Sequence, residues 1–119
     1  MKKHRYMRKY ICFLHRYFGV PFIKVNIIWQ APSLVTETGE YGFGLFFWPK
    51  EKGDKEVEIY VAGKKIGKTG IMSVLAHEFA HYRQWLDGQN MDAEHIECEA
   101  EHMGLEAMGK WLLQRKCKG

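Results

Sequence analysis

The sequence predicts an α+β fold in a single domain, and three observations support this prediction. Apolar residues recur at helical spacing near the N-terminus and again through most of the second half of the chain. Between these regions lie three shorter runs rich in β-branched and aromatic residues, which predict strands. A chain of 119 residues suits one core. We therefore expect an N-terminal helix, a small three-stranded mixed sheet and two further helices, in that order.

The first half of the chain contains one predicted helix and three predicted strands. Residues 2–18 have an apolar, aromatic-rich face and a basic face, which is typical of an amphipathic helix. A loop is expected at residues 31–40. Two glycines in the second β-type run favour an edge position for that strand. The strands are predicted at residues 22–29, 41–48 and 57–62.

Two helices are predicted in the second half of the chain. The first runs from Thr69, its expected N-cap, to Leu86 and carries an apolar stripe along one face. The second is capped by Asp92 and runs to about residue 113. Residues 114–119 are basic and are expected to form a frayed tail of the domain.

Charge is unevenly distributed along the chain, which has a formal net charge of +4. No acidic residue precedes Glu37, whereas the first helix carries lysines and arginines along one face. The acidic residues gather between Asp92 and Glu106. A basic helix face fits contact with nucleic acid or an acidic partner, and it also fits a solvated protein surface. The sequence alone leaves both interpretations open.

The composition excludes several protein classes. The apolar and charged fractions, 46% and 27%, are those of an ordinary globular domain, and no apolar run approaches the length of a membrane span. Cys12, Cys98 and Cys117 form no C-x-x-C pair and no even framework, so we expect reduced thiols. The N-terminus lacks the continuous apolar run of a signal peptide. These observations predict a cytoplasmic protein without membrane contact.

The helix that begins near Thr69 carries the metal-binding motif H-E-x-x-H. His77 and His81 are four residues apart, so they lie on one helix face, nearly opposite the apolar stripe. Their imidazole nitrogens can bind one metal ion, and Glu78 beside them is a candidate general base. A coincidental surface pattern is the competing interpretation. Small residues in the last helix, among them Gly104, would let that helix approach closely enough to complete a metal site.

A catalytic metal site usually has three protein ligands and one open position, so a third ligand is needed. Glu97 and Glu101 lie at the edge of the apolar face of the last helix, where a carboxylate is costly to bury unless it is paired or binds metal. We therefore predict Glu97 as the third ligand. Glu101 is predicted to accept the free N–H of a ligand histidine and so fix its tautomer. His95 and His102 are the alternatives for the third ligand.

With these residues the chain resembles the gluzincin class of zinc metallopeptidases. In that class H-E-x-x-H is followed on a later helix by a glutamate ligand, within E-x-x-A-D or E-x-x-A-N in several members. Here the segment from Glu97 to Glu101 reads E-x-x-A-E, so glutamate stands where the pattern has aspartate or asparagine. The short length and the layout resemble the compact members, the minigluzincins and the ImmA/IrrE-type, repressor-cleaving peptidases. The SprT-like peptidases, whose third ligand is histidine, are also similar if His95 or His102 takes that place.

The resemblance implies a zincin-like fold and a zinc-dependent endopeptidase. Zn²⁺ would be bound by His77, His81 and Glu97. Glu78 would take a proton from the zinc-bound water as it attacks a peptide carbonyl. The predicted strand at 41–48 would form the edge of the cleft and bind a protein or peptide substrate as an added extended strand. The candidates for stabilising the oxyanion are Tyr82, His102 and Tyr60.

Two other function classes compete with the peptidase. The first is a basic nucleic-acid-binding module in which the metal is structural or absent. An SprT-like DNA-associated metalloprotease would combine this class with the peptidase. The second is a latent peptidase that acts as an interaction domain. All three metal-binding groups and the base are present in the sequence. This completeness argues against loss of the chemistry and leaves latency open.

Overall fold

A computed structural model describes residues 2–35, 41–48 and 57–118 of the chain. The α+β class is confirmed, as is a single domain with an N-terminal helix, a three-stranded mixed sheet and two later helices. The helices and strands of these residues, in chain order, are α1 (Lys2–Phe18), β1 (Lys24–Ile28), β2 (Leu34–Val35), β3 (Tyr41–Gly42), β4 (Gly44–Phe47), β5 (Glu58–Ala62), α2 (Gly67–Leu86) and α3 (Ile96–Lys118).

The three-stranded sheet has the order β1–β5–β4, which places β4 at an edge. β1 runs parallel to β5 and β4 runs antiparallel to it, so Val25 and Phe46 both lie opposite Ile59. Ile59 and Val61 are fully buried on the face of the sheet that packs against the helices. Tyr60 lies between them and points to the opposite face, because side chains alternate along a strand.

The predicted strands need correction at their boundaries. The run at 41–48 divides at Phe43 into β3, which pairs with β2, and β4, which pairs with β5. The glycines on either side of Phe43 allow the backbone to change partners there. β2 lies within the predicted loop at 31–40 and, with two residues, is too short to show an alternating pattern. Residues 36–40 of that loop lie outside the described residues. The first strand is shorter than predicted, and Phe22 lies outside it with 85% of its surface exposed.

Helix α1 packs its apolar face onto α2 and α3 and closes the core. Tyr10 and Leu14 are fully buried, and the Tyr10 hydroxyl donates a hydrogen bond to the Met72 carbonyl at 2.8 Å. Trp111 of α3 packs against the rings of Tyr10 and Phe13, with centroid separations of 5.5 and 5.3 Å. Burial of a large apolar side chain contributes about 1.5–3 kcal/mol, so this face accounts for much of the stability of the helix layer.

Helix α2 begins earlier than predicted. Its first residue is Gly67 and its N-cap is Ile66, which makes no side-chain cap hydrogen bond, so the prediction of Thr69 as N-cap is wrong. The chain enters the helix through Gly67 at a φ of +65°, a conformation that glycine adopts without strain. At the other end Gly88, at a φ of +77°, terminates the helix, and its N–H donates to the Trp85 carbonyl at 3.0 Å.

Helix α3 begins later than predicted. Residues 91–95 form a turn, and the Asp92 N–H donates a hydrogen bond to Asn90 Oδ1 at 3.0 Å. Asp92 is thus held in the turn, and the prediction that it caps the helix is wrong. The helix starts at Ile96 and has two glutamates in its first turn, where negative charge stabilises a helix.

Helix α3 also ends later than predicted. It continues to Lys118, so residues 114–118 are helical instead of forming a frayed tail. The reason is that no glycine or proline occurs between residues 110 and 118 to end the helix. Over the described residues, none of the helices is both long and apolar enough to cross a membrane.

Helices α2 and α3 approach closely where Gly104 faces the backbone of α2. A Cβ atom added at Gly104 would lie 2.9 Å from the His77 nitrogen and 3.1 Å from the Ala76 carbonyl carbon. Ala100 and Ala107, about one turn away on either side, are fully buried on the same face. Small side chains along this face therefore let the two backbones come together at the level of the first motif histidine, as expected from the sequence.

Gly104→Ala should destabilise the protein, whereas Gly109→Ala should not. A methyl group at position 104 must displace the α2 backbone, and overpacking of this kind costs about 1–3 kcal/mol. Gly109 on the same helix is the matched control, because no heavy atom of the described residues lies within 4 Å of a Cβ added there. Alanine at 109 should stabilise the helix by about 0.5–1 kcal/mol. Urea unfolding measures the difference, and equal stabilities would show that the helices tolerate a wider spacing.

Candidate metal centre

The structure brings together the three residues predicted as metal ligands. One carboxylate oxygen of Glu97 lies 2.9 Å from His77 Nε2, and the other lies 3.1 Å from His81 Nε2. One ligand atom from each of the three residues lies within 4.8 Å of the others. The two imidazoles are one turn apart on α2, with ring centroids separated by 4.6 Å. Both Nε2 atoms therefore face the first turn of α3.

The exposure of the carboxylates differs from the expectation. The sequence argument for Glu97 and Glu101 relied on the cost of burying a carboxylate, but their side chains are 72% and 60% exposed. That argument is wrong, because the first turns of α3 lie at a margin of the helix pair that is open to solvent. The histidine side chains form the sheltered part of the site, with 20% of His77 and 9% of His81 exposed.

Glu101 approaches the other ring nitrogen of His77. Its Oε2 atom lies 3.2 Å from His77 Nδ1, which is the pairing predicted for a group that orients a ligand histidine. The carboxylate lies off the direction of a ring N–H, and Nδ1 is a buried atom without a hydrogen-bond partner in the described part of the chain. Glu101 is therefore within reach of His77 but does not fix its orientation in this structure.

A fully buried glutamine, Gln84, orients the second histidine and was not predicted from the sequence. Its Oε1 atom lies 2.8 Å from His81 Nδ1, and its Nε2 atom donates to the Ile96 carbonyl at 3.0 Å and to Glu99 Oε1 at 2.9 Å. A carbonyl can only accept, so the amide NH₂ faces Ile96 and the amide oxygen faces the histidine. His81 Nδ1 therefore carries the proton, and the lone pair of Nε2 is free to bind a metal.

The same hydrogen-bond network extends across the turn between the two helices. Gln89 donates to Glu99 Oε1 at 3.1 Å, beside the bond from Gln84. The hydrogen bonds from Gln84 and then Gln89 lower the pKa of the Glu99 carboxyl, so it is ionised and accepts both. Gln84 follows His81 by three residues and so shares its side of α2, which is the one sequence signal that points to this contact.

Glu78 is buried beside the ligand residues and faces β4. Only 6% of the residue is exposed, and a Cβ atom added at Gly44 would lie 2.6 Å from its Oε2 atom. The lack of a side chain at Gly44 thus makes room for the carboxyl group. Desolvation, with a smaller effect from the charge of Glu97, raises the pKa of Glu78 to about 8. Burial also lowers the pKa of His81, against the opposing effect of Glu97, and favours the neutral imidazole that binds metals.

These groups line one cleft of about 310 Å³ between α2, the first turn of α3 and β4. Leu45 and Trp48 contribute apolar surface from the strand side, and Met91 and Ile96 contribute it from the helix side. Among the described strands, none pairs with the outer edge of β4. The cleft therefore combines an unpaired strand edge, a metal-ligand cluster and a buried carboxyl group.

Four residues considered from the sequence lie away from this cleft. Tyr82 is buried among aromatic rings, and Tyr60 lies on the far face of the sheet, where its hydroxyl bonds to a glutamate. His95 and His102 are exposed and do not belong to the ligand cluster. The geometry supports neither Tyr82, Tyr60 nor His102 as an oxyanion donor, and it favours Glu97 over both histidines as the third ligand.

The donor set fits a divalent transition-metal ion. Two imidazole nitrogens and a carboxylate converge, which leaves a coordination position for water or substrate. Imidazole favours zinc, copper, iron and nickel over the alkaline-earth ions. The fixed tautomer of His81 agrees with metal binding, since the nitrogen that faces the cluster bears no proton.

Comparison with known proteins gives no indication of function, so any functional inference depends on the geometry of the cleft. No family model, curated protein or solved structure matches the chain. The resemblance to the gluzincins therefore rests on the motif residues alone.

Gln84→Met should weaken metal binding, whereas Gln89→Met should not. Methionine has a similar shape but removes the hydrogen bond that orients His81, and loss of such a group costs roughly 10–100-fold in metal affinity. Gln89 is the matched control, because it bonds the same carboxylate of Glu99 without touching His81. Competition with a zinc-chelating dye measures both affinities, and circular dichroism checks the fold. Equal affinities would mean that Gln84 does not orient a ligand.

Proposed function

We propose that this protein is a zinc-dependent metalloendopeptidase. The observation that supports the proposal is that three metal-ligand groups, from His77, His81 and Glu97, share one cleft with the buried carboxyl group of Glu78. A coincidental surface motif would not require a fully buried glutamine bonded to His81. Nor would it require a glycine at position 44 of β4, where any side chain would collide with Glu78.

Zinc is the ion that this donor set fits best. Two histidines and a glutamate form one of the common ligand sets of catalytic zinc, with one position open. When bound, zinc would acidify a coordinated water and polarise a substrate carbonyl. His77 and His81 would bind the ion through Nε2, and Glu97 would bind it through its carboxylate, which already lies within hydrogen-bond distance of both rings.

Glu78 would move a proton and would not bind the ion. It follows His77 directly, so the two side chains leave the helix about 100° apart. Its carboxyl group lines the cleft beside the ligand histidines. From there it can take a proton from an attacking water and deliver it to the nitrogen of the leaving amine. The low exposure that raises the pKa of Glu78 also strengthens its carboxylate as a base.

The substrate would be a protein or peptide bound as an extended strand along β4. Within the described residues the outer edge of β4 is unpaired, and this strand lines the cleft beside Glu78. Main-chain hydrogen bonds would hold peptides of many sequences, and side-chain pockets would add selectivity. Leu45 and Trp48 are half-buried in the cleft, whereas Phe46 is only 3% exposed and belongs to the core. We therefore expect a shallow apolar subsite at Leu45 and Trp48.

The purified protein should bind one zinc ion per chain through the three ligand residues. His77→Ala and His81→Ala each remove an imidazole and should abolish stoichiometric binding, and Glu97→Ala should weaken it strongly. The matched control is His102→Ala, because His102 is exposed on α3 outside the ligand cluster. Mass spectrometry of dialysed protein measures the metal content. Full zinc in His81→Ala would disprove the assignment, and zinc lost in His102→Ala but kept in Glu97→Ala would favour the SprT-like arrangement.

Zinc-loaded Glu78→Gln should bind zinc normally and lose peptidase activity. Glutamine keeps the shape of the side chain but cannot accept the proton, and a positioned general base contributes about 10²–10⁴-fold to the rate. Fluorogenic peptides of randomised sequence provide the assay, and mass spectrometry identifies the cleaved bonds. Glu106→Gln is the control, since it removes an exposed carboxylate of α3 that does not line the cleft.

Two results would contradict the proposal in different ways. Cleavage by Glu78→Gln at the wild-type rate would show that Glu78 is not the base and that the mechanism is wrong. Stoichiometric zinc without cleavage of the peptides or of unfolded casein would show that the chain binds metal as a latent peptidase or an interaction domain.

A further inference from the structure

A second concave surface lies between α1 and the C-terminal part of α3, and we call it the α1–α3 groove. It encloses about 630 Å³. Its walls carry five basic side chains, four of them from α1 and one from α3, and none of the acidic residues that the structure describes lines it. The basic residues are Arg5, Arg8, Lys9, Arg16 and Arg115.

No acidic side chain among the described residues neutralises the charges of the groove. All five basic side chains are exposed, and within the described part of the chain none of them forms a salt bridge. Arg83, by contrast, is paired with Asp87 at 2.6 Å. The guanidinium group of Arg115 lies over the Tyr6 ring at 4.6 Å from its centroid, which holds this charge at the groove. Like charges that line one groove repel one another and favour an anionic ligand.

We propose that the α1–α3 groove binds the phosphate backbone of nucleic acid. Arg5 and Arg16 are separated along α1 by about 16 Å, at 1.5 Å per residue. A nucleic-acid strand carries one charge per 3.4 Å, so about five phosphates span this length. Four of the five basic groups are guanidinium groups, whose paired N–H donors match phosphate oxygens.

The structure disfavours a lipid bilayer as the occupant of this surface. A basic helix that lies on a membrane inserts its apolar face among the lipids. The apolar face of α1 is already buried in the protein core, with Met7 2% exposed and both Tyr10 and Leu14 fully buried. Only the polar face of the helix is therefore available, and it can contact a polyanion but cannot insert.

The groove and the metal centre lie at opposite ends of α3. Glu97 and Arg115 are separated by about 27 Å along the helix axis. The first turns of α3 carry Glu97, Glu99 and Glu101, whereas its last turns carry basic residues. This separation of charge draws a polyanion to the groove and repels it from the cleft, so bound nucleic acid would leave the cleft open. The proposal stands without the peptidase activity, because it uses none of the same residues.

Fluorescence anisotropy with labelled DNA tests the proposal on the full chain. A duplex of about 20 base pairs should bind at low salt, and log K should fall with log salt with a slope of about −4.5 for five phosphate contacts. A single strand of the same sequence shows which form is preferred. The triple variant Arg5→Gln, Arg8→Gln and Arg16→Gln should bind about tenfold or more weakly, and its slope should be less negative by about 3.

A control variant with the same loss of charge distinguishes binding by the groove from a general effect of net charge. It combines Lys24→Gln, Lys64→Gln and Lys65→Gln, which are exposed lysines outside the groove, and it should bind like the wild type. Circular dichroism confirms that both variants are folded. Equal weakening in the two triple variants would overturn the proposal, as would a lack of binding at low salt. Displacement of the DNA by poly-glutamate of equal charge would identify an acidic polypeptide as the ligand and also overturn it.

Discussion

The close packing of α3 on α2 is the constraint on which the rest of the structure depends. Gly104 leaves no side chain between the helices at His77, so Glu97, about two turns earlier on α3, reaches both imidazoles. The hydrogen bond from Gln84 to the Ile96 carbonyl holds the start of α3 in the same position. α1 and the sheet bury the remaining apolar surface of α2. These layers support the helix pair, and they leave its polar margin free for chemistry.

Two buried polar side chains at the cleft, Gln84 and Glu78, differ in whether their burial is compensated. Gln84 has partners for both ends of its amide, so its burial is compensated. Glu78, by contrast, is buried close to the negative charge of Glu97. Desolvation and this charge both oppose its ionisation. A divalent cation between His77 and His81 would reverse the sign of that field at both carboxyl groups. The negative field of the carboxyl groups in the cleft therefore favours a bound cation.

The spacing of residues along the helices and strands was sufficient to predict the fold class and the positions of part of the candidate site. The positions of His77, Glu78 and His81 followed from helix geometry, which holds whatever the helix packs against. Glu97 does lie beside both histidines, but the burial argument that led to it was wrong, since exposure depends on where the helix pair ends. Gln84 was missed because its partners lie on another helix and are set by tertiary packing. The predicted starts of α2 and α3 were wrong for a similar reason. The chain enters α2 through the turn at Gly67, and the turn at Asn90 holds Asp92 before α3, so neither predicted capping residue begins its helix.

All three candidate ligands belong to one helical hairpin, since His77 and Glu97 are only 20 positions apart. Closing so short a segment loses less chain entropy than pairing β1 with β5 across the first half of the protein. Contacts with small sequence separation also form faster during folding. The ligand cluster can thus assemble before β1 joins the sheet, and the cleft is complete only when Gly44 of β4 packs against Glu78, which lies much further along the chain. The order of folding would then complete the candidate ligand cluster before the cleft that surrounds it.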